Sequence, residues 1–208
     1  MMKRSGVLIV ISGFAGTGKG TLVKGLLSKY DNYALSVSMT TRSPRPGEVD
    51  GESYFFVTKE DFEKKIAEGG LIEHACYCDN YYGTPKAYVD KMLAEGKDVI
   101  LEIEVQGALA IKEKFKDALL LFVLPPSAKV LRERLIGRGT ETIDVVDKRM
   151  KRAVEESAII DKYDYIVVND DIDTCISQTH CIISAAHMIP GKNAEFIDSI
   201  KQGLAELS

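Results

Sequence analysis

The sequence predicts an α/β protein with three layers, in which helices cover both faces of a mostly parallel central sheet. Apolar runs of strand length alternate with amphipathic stretches of helix length, and this alternation is typical of βαβ units. A glycine-rich loop follows the first apolar run, at the predicted carboxyl edge of the sheet, where the ligands of such folds bind. The 208 residues suffice for one domain with a buried core and a small insert.

Seven runs are expected to form strands. Five of them have the composition of buried strands, namely Val7–Ile11, Leu71–Tyr77, Val99–Ile103, Leu119–Leu124 and Tyr165–Val168. Two shorter strands of a different kind, Ala34–Ser38 and Tyr54–Val57, flank a polar loop.

Residues typical of helix starts mark several helices. The segment Thr58-x-x-Asp61 resembles a capping box. Thr84 is expected to cap a helix whose first residue is Pro85, because proline is favoured at that position. The chain is expected to close with an amphipathic helix from Asn193 to Leu207, whose role the sequence leaves open.

The charge balance argues against general binding to nucleic acids or membranes. The formal net charge is −4, the wrong sign for a protein that binds polyanions over its whole surface. From Lys129 to Arg152, however, eight basic residues stand against four acidic ones. This segment is either a solvated helix face or a part of the chain that folds over a polyanionic ligand.

The cysteines indicate neither a disulfide framework nor a metal site. None of Cys76, Cys78, Cys175 and Cys181 forms a C-x-x-C pair. His74 alternates with the first two of them, which is better explained by a strand than by zinc ligands. The basic start before the first apolar run superficially resembles a secretory signal, but cleavage there would destroy the glycine-rich loop. We therefore expect a soluble, cytoplasmic protein.

The glycine-rich loop has the composition of a phosphate-binding loop. Its backbone N–H groups can surround an anion, the following helix offers its positive end, and the lysine can reach the terminal phosphates of a nucleotide. The loop consists of Gly13, Phe14, Ala15, Gly16, Thr17, Gly18, Lys19, Gly20 and Thr21. Gly20 stands where the pattern G-x-x-x-x-G-K-[ST] places a magnesium-binding hydroxyl, and Thr21 comes one residue later.

A second stretch suggests another phosphate site. Arg42 and Arg45 lie in a loop stiffened by Pro44 and Pro46, and arginine forks suit bidentate phosphate binding. An exposed loop with ordinary surface arginines explains the residues equally well. Tyr54 further on can donate to a phosphate or pack as a strand aromatic.

At this point the sequence resembles the guanylate kinase family over about residues 7–183. The most specific motif is Thr-Thr-Arg-x-x-Arg-x-x-Glu-x-x-Gly-x-x-Tyr-x-Phe, from Thr40 to Phe56. The resemblance continues in order through Glu73, Asn80-Tyr81-Tyr82-Gly83-Thr84, Gln106-Gly107-Ala108, Pro125-Pro126-Ser127, Arg134-Leu135-x-x-Arg138-Gly139 and Tyr163-Asp164-Tyr165 to Asn169-Asp170.

The resemblance implies an acceptor site for GMP. It makes Glu73 the acceptor for the guanine N–H groups, with Ser38 and Thr84 as hydroxyl donors to the guanine carbonyl. It assigns the monophosphate to Arg42, Arg45, Tyr54 and Tyr82, and it includes Gly83 among the substrate-binding residues. It also places Glu102 near the acceptor nucleotide.

On the donor side, the resemblance implies the phosphate loop, a magnesium ion and a lid. Thr21 and Glu104 would hold Mg²⁺, although glutamates stand at 102 and 104 where the family usually carries aspartates. Arg138 and Arg149 correspond to the lid arginines, and Asn169 and Asp170 to residues that meet the donor adenine. Lys19, Arg42, Arg138 and Arg149 would be the catalytic residues.

The implied activity is phosphoryl transfer from Mg-ATP to GMP or dGMP in purine metabolism. The implied organisation is a P-loop core (1–34 and 85–190, with a short helical lid at about 136–150), a mixed α/β GMP-binding insert (35–84) and a C-terminal helix (191–208). The expected partners are GMP and ATP, with a homodimer possible. Two alternatives stay open: a phosphopeptide-binding module of the same fold without turnover, and a kinase of a phosphorylated sugar.

Overall fold

A computed structural model of the chain describes residues 5–77, 79–137 and 142–207. The strands in this part of the chain are β1 Leu8–Gly13, β2 Tyr33–Leu35, β3 Met39–Thr40, β4 Phe55–Phe56, β5 Leu71–Tyr77, β6 Asn80–Pro85, β7 Asp98–Glu102, β8 Leu119–Leu124 and β9 Tyr165–Val168. The helices are α1 Lys19–Lys29, α2 Lys59–Ala67, α3 Lys86–Ala94, α4 Val105–Lys114, α5 Ala128–Gly137, α6 Ile143–Ser157, α7 Ile172–Ala186 and α8 Ala194–Leu207. Short 3₁₀ helices cover Ile160–Lys162 and Pro190–Asn193.

The main sheet is parallel, and helices cover both of its faces. Its strand order is β2-β7-β1-β8-β9, and every neighbouring pair is parallel. Helices α1 and α7 bury Leu22, Leu26 and Ile176 in the apolar cluster on one face. Helices α4 and α5 contribute Ile111 and Leu131 to the cluster on the other face. The predicted three-layer α/β fold is thereby confirmed.

A second, mixed sheet forms the small insert. Its order is β4-β3-β6-β5, in which β3 and β4 are parallel while β6 is antiparallel to both β3 and β5. Helix α2 closes this sheet with Phe62, which packs with Met39 and Leu71 in a separate small core. Thr58 caps α2, since its hydroxyl oxygen accepts the Asp61 N–H at 3.1 Å as predicted.

Two strand predictions need correction. Of the predicted run Ala34–Ser38, only Ala34 and Leu35 belong to a strand, which spans Tyr33–Leu35. This strand is an edge strand of the main sheet and not a strand of a different kind. The segment Asn80–Pro85 was not predicted as a strand, because asparagine, glycine and proline are poor strand formers. It lies between β3 and β5 and is stabilised by pairing with both.

The start of α3 also differs from the prediction. The helix begins at Lys86, its N-cap is Pro85, and no side chain caps it. Thr84 is the preceding residue of β6, and its hydroxyl donates to the Glu73 carboxylate instead. The tertiary partner of Thr84 thus overrides its local tendency to cap a helix.

The predicted C-terminal helix is confirmed as α8. No residue of α8 is buried, and Phe196, Ile200 and Leu204 on one of its faces are exposed. Within the three described ranges, no helix combines the length and apolar character needed to cross a membrane.

Candidate nucleotide-binding site

The phosphate loop connects β1 to α1, as the sequence predicted. Gly18 precedes the helix with a φ of +88°, and a side chain here would also collide with Asn169, whose amide nitrogen would lie 2.4 Å from the added Cβ. The first turn of α1 has no side-chain cap and no acidic residue. Its N–H groups and positive dipole end are therefore available to an anion.

Lys19 lies folded over this loop. Its ammonium group donates to the carbonyl oxygens of Gly13 at 2.5 Å and Phe14 at 3.1 Å. The Thr17 hydroxyl also donates to the Phe14 carbonyl, at 2.9 Å. These bonds close the loop and hold a positive charge at its mouth.

Asn169 lies at the end of β9, but its side chain is buried against the loop. The amide nitrogen donates to the Thr17 carbonyl at 2.7 Å, and the Asn169 carbonyl accepts from the Arg134 guanidinium at 2.9 Å. Asp170 next to it is exposed. The observed contacts of Asn169 therefore brace the loop. Sequence reasoning missed this link to Arg134, since nothing local connects residues 35 positions apart.

The guanine-reading residues predicted from the sequence lie together in the insert. Glu73 on β5 is 4% exposed, and its Oε1 accepts the Thr84 hydroxyl at 2.7 Å. Met39 pairs with Gly83, so extending this antiparallel register by one residue places Ser38 opposite Thr84. The Glu73 carboxylate and the Thr84 hydroxyl thus meet across β5 and β6, and Ser38 directly precedes β3, the next strand of this sheet.

Burial raises the pKa of the Glu73 carboxyl above its ordinary value, while the Thr84 hydrogen bond and the Lys114 ammonium oppose this shift. A buried carboxylate with few donors is costly. The site is therefore suited to a ligand that brings further N–H donors to it.

The predicted phosphate-binding residues form a second cluster in the insert. The Arg42 guanidinium binds both carboxylate oxygens of Glu48, at 2.9 and 3.0 Å, and lies 5.4 Å from the centre of the Tyr54 ring. The Tyr54 and Tyr82 rings meet edge to face at 6.1 Å. Arg45 belongs to the same loop, but its side chain is exposed.

Glu48 is a positioning residue whose role the sequence motif did not reveal. Besides binding Arg42, it accepts the Arg45 backbone N–H at 2.7 Å. The Arg42 bond and then the Arg45 bond hold the pKa of Glu48 below its ordinary range. The Glu48 carboxylate thus fixes both the Arg42 guanidinium and the turn of the loop from Thr41 to Glu48, which we call the arginine loop.

Glu102, at the end of β7, lies close to both the phosphate loop and the cluster of Arg42, Tyr54 and Tyr82. A Cβ added to Gly20 would lie 3.8 Å from its carboxylate, which therefore stands at the mouth of the phosphate loop. Partial desolvation in the cleft raises the pKa of Glu102, although the side chain keeps access to solvent, and the Lys19 charge opposes the shift. The Glu102 charge also raises the pKa of Tyr54, after the larger effects of burial and of Tyr82.

Glu104 has a protein partner in this structure. Its carboxylate accepts from the Arg152 guanidinium at 2.9 Å, and Arg152 also donates to Glu156 at 2.7 Å. To bind a metal directly, Glu104 would have to exchange this ion pair. Arg152, on α6, therefore holds the Glu104 carboxylate in place, and the sequence motifs did not single out this residue.

Magnesium prefers oxygen ligands, such as those of carboxylates and hydroxyls. Such oxygens are available at or near the mouth of the phosphate loop from Glu102, Glu104 and the exposed Thr21. Among the residues that the structure describes, no group of three or more His, Cys, Asp or Glu is arranged to hold a metal. Glu102, Glu104 and Thr21 could contribute oxygen ligands to a magnesium ion that is bound together with nucleotide phosphates and water.

Of the predicted lid arginines, Arg149 lies half-buried on α6. Arg138 lies outside the described residues, as does Cys78.

Comparisons with known proteins show to which family the chain is similar. The guanylate kinase family model matches residues 5–186. Guanylate kinase from Clostridium perfringens (strain SM101 / Type A) is 49% identical over 201 residues, which covers 97% of this chain and 90% of the relative. The protein of the same name from Caldanaerobacter subterraneus subsp. tengcongensis is 47% identical over 97% of this chain and 98% of its own length. The crystal structure of guanylate kinase from Anaplasma phagocytophilum matches with a TM-score of 0.74 at 33% identity, covering 90% of this chain and 89% of that one. Family model, relatives and structure match over nearly the whole chain, and the protein belongs to the guanylate kinase family.

Proposed function

We propose that this protein transfers the γ-phosphoryl group of Mg-ATP to GMP or dGMP, yielding ADP and the guanosine diphosphate, and so serves purine nucleotide metabolism. The observation that carries the proposal is the position of Glu102, whose carboxylate lies beside Gly20 of the phosphate loop and whose charge also contributes to the raised pKa of Tyr54, next to Arg42. A donor site and an acceptor site thus share one cleft. The comparisons give no support to a phosphopeptide-binding module or a sugar kinase.

The acceptor is held by its base and by its phosphate. Glu73 would accept the two N–H groups on guanine, and Ser38 and Thr84 would donate to the guanine carbonyl. Adenine presents the opposite groups and would leave the buried carboxylate unpaired, which allows discrimination of roughly 10⁴-fold. Arg42, Arg45, Tyr54, Tyr82 and the backbone at Gly83 would bind the monophosphate.

The transfer itself needs positioning and neutralisation of charge rather than a strong base. Lys19 would leave the loop carbonyls for the donor phosphates, while Arg42, Arg138 and Arg149 stabilise the charge that develops on the transferred group. Mg²⁺ bound with ATP would supply further charge neutralisation, with Thr21 and Glu104 as its holders. Asn169 and Asp170 would border the donor base.

The catalytic unit divides into three functional parts. Residues 1–34 and 85–190 form the P-loop core, 35–84 bind GMP, and 136–150 act as a lid that closes over the phosphates. Closure would exclude water and prevent wasteful hydrolysis of ATP.

An acceptor panel tests the function. ADP release from Mg-ATP is measured with GMP, dGMP, AMP, CMP, UMP and a ribose bisphosphate, with Lys19→Met as the blank. We expect turnover only with GMP and dGMP, and a loss of at least about 100-fold in the variant. Turnover with the ribose bisphosphate would favour a kinase of a phosphorylated sugar. GMP binding without turnover would favour the phosphopeptide-binding module.

We also propose that the protein works in the cytoplasm as a homodimer in which a second copy covers the apolar face of α8. The exposed Phe196, Ile200 and Leu204 on this face support the pairing. Light scattering of the full chain should give twice 22.9 kDa, and Leu204→Asp should give the monomer. A monomeric wild-type chain at micromolar concentration would refute the dimer.

A further inference from the structure

The second oxygen of the guanine-reading carboxylate faces a glycine of the core. Oε1 of Glu73 accepts the Thr84 hydroxyl, while Oε2 points at Gly107 on α4. A methyl group added to Gly107 would lie 3.1 Å from Oε2 and 3.5 Å from the carboxyl carbon. The first distance is shorter than an ordinary contact, so the carboxylate occupies space that exists because residue 107 has no side chain.

We propose that Gly107 is a specificity-determining positioning residue, which sets the depth and tilt at which the Glu73 carboxylate meets the guanine ring. This inference rests on the proposed function. Gly107 touches neither substrate nor magnesium in this scheme; it acts through Glu73.

The carboxylate has little freedom to move away from an added methyl. Thr84 holds one oxygen at 2.7 Å. The adjacent backbone is held as well, since the Lys114 ammonium donates to the Ile72 carbonyl at 3.0 Å. Lys114 lies seven residues after Gly107 and so on the same face of α4. This bond fixes α4 against β5 next to Glu73.

The added methyl would therefore turn the carboxylate or push Ile103, whose Cδ1 would lie 3.2 Å from it. A turned carboxylate loses its alignment with the paired N–H groups of guanine. Gly107 also belongs to the first turn of α4, where the positive end of the helix favours a nearby anion. Separation of the carboxylate from this turn would weaken that stabilisation too.

Glycine at position 107 runs against the preference of the helix. Alanine is favoured over glycine inside a helix, so Gly107→Ala alone should not weaken the helix. If the space serves only packing, the substitution lowers stability. If it serves the carboxylate, the substitution preserves stability and harms GMP binding. These two outcomes separate a structural role from a positioning role.

The experiment compares Gly107→Ala with Gly203→Ala. Gly203 also lies in a helix, but no heavy atom lies within 4 Å of an added Cβ. We expect Gly107→Ala to raise KM and Kd for GMP about 10-fold, because displacements below 1 Å already cost catalysis substantially. The KM for ATP should stay within about 2-fold and the Tm should not fall. Gly203→Ala should leave KM and kcat unchanged.

A double-mutant cycle with Glu73→Asp decides the mechanism. The shorter acid withdraws its carboxylate from Gly107, so Gly107→Ala should cost less in that background than in the wild type. Equal costs in both backgrounds, or an unchanged KM for GMP, would overturn the inference. If Gly107→Ala lowers the Tm, Glu73→Asp must restore it; otherwise the role is packing alone. A wild-type chain that does not phosphorylate GMP would refute the proposed function instead, before any variant is compared.

Discussion

Replacing Asn169 with leucine separates two roles for this side chain, adenine contact and support of the phosphate loop. Its amide donates to the buried Thr17 carbonyl at 2.7 Å. Leucine has the same number and branching of side-chain heavy atoms but lacks the donor, so the carbonyl is left unsatisfied in the interior. Such a loss costs about 1–3 kcal/mol. At about 2 kcal/mol, a protein of this size should lose roughly 4–8 °C in Tm.

The assay is urea unfolding of the nucleotide-free protein, with the KM values for ATP and GMP measured in parallel. Asp170→Ala is the matched control, because Asp170 is the exposed neighbour, and surface substitutions usually change stability by less than about 0.5 kcal/mol. We expect a lower urea midpoint for Asn169→Leu with an unchanged slope. An unchanged midpoint together with a raised KM for ATP would refute the bracing role and favour the adenine contact that the family resemblance implies.

Three further substitutions test the ion pairs and the buried acid. Glu48→Gln frees the Arg42 guanidinium, so the KM for GMP should rise several-fold, with less than about 1 kcal/mol lost in urea unfolding; an unchanged KM would contradict this role. Arg152→Gln leaves the buried Glu156 without its guanidinium partner and should lower the free energy of unfolding by about 1–2 kcal/mol. This loss should exceed that of Arg132→Gln, which removes an exposed ion pair. Equal urea midpoints for the two variants would contradict this expectation. Because the pKa of Glu73 is raised on folding, its carboxyl opposes folding at neutral pH and ceases to do so below its unfolded pKa of about 4.3. Glu73→Gln should therefore stabilise the GMP-free protein at pH 7 and lose this advantage near pH 4, whereas a pH-independent gain would refute the burial argument.

The parts of the site that the sequence predicted are those whose chemistry is local. The phosphate loop needs only glycines, Lys19 and a strand–helix context, and all of these lie within about a dozen residues. The arginine loop is likewise local, since Pro44 and Pro46 restrict its backbone and Glu48 binds residues of the same loop. Ser38, Glu73 and Thr84 could be named through the family resemblance, but the contact of Glu73 with Thr84 depends on the pairing of β5 with β6.

The parts that were missed depend on partners distant in the chain. Asn169 reaches Thr17 across 152 positions, and Arg152 reaches Glu104 across 48. No periodicity or spacing encodes such contacts. The same reason explains the error at Thr84, whose position before a proline favours a helix cap until Glu73 offers its hydroxyl a stronger acceptor.

These distant contacts also constrain how the acceptor-binding segment can close. Strand β5 carries Glu73, yet it is tied to the core by the Lys114–Ile72 bond and by the close approach of Gly107. A rigid rotation of the whole segment 35–84 would break both contacts and move the Glu73 carboxylate. The bonds of Glu48 to Arg42 and to the Arg45 backbone stay within the arginine loop. Thr41, however, exchanges two hydrogen bonds with the Tyr81 backbone on β6, and β6 is the neighbour of β5 in the sheet. Closure that leaves β5 against α4 and keeps the bonds of Thr41 would therefore have to be confined to the part of the arginine loop that follows Thr41.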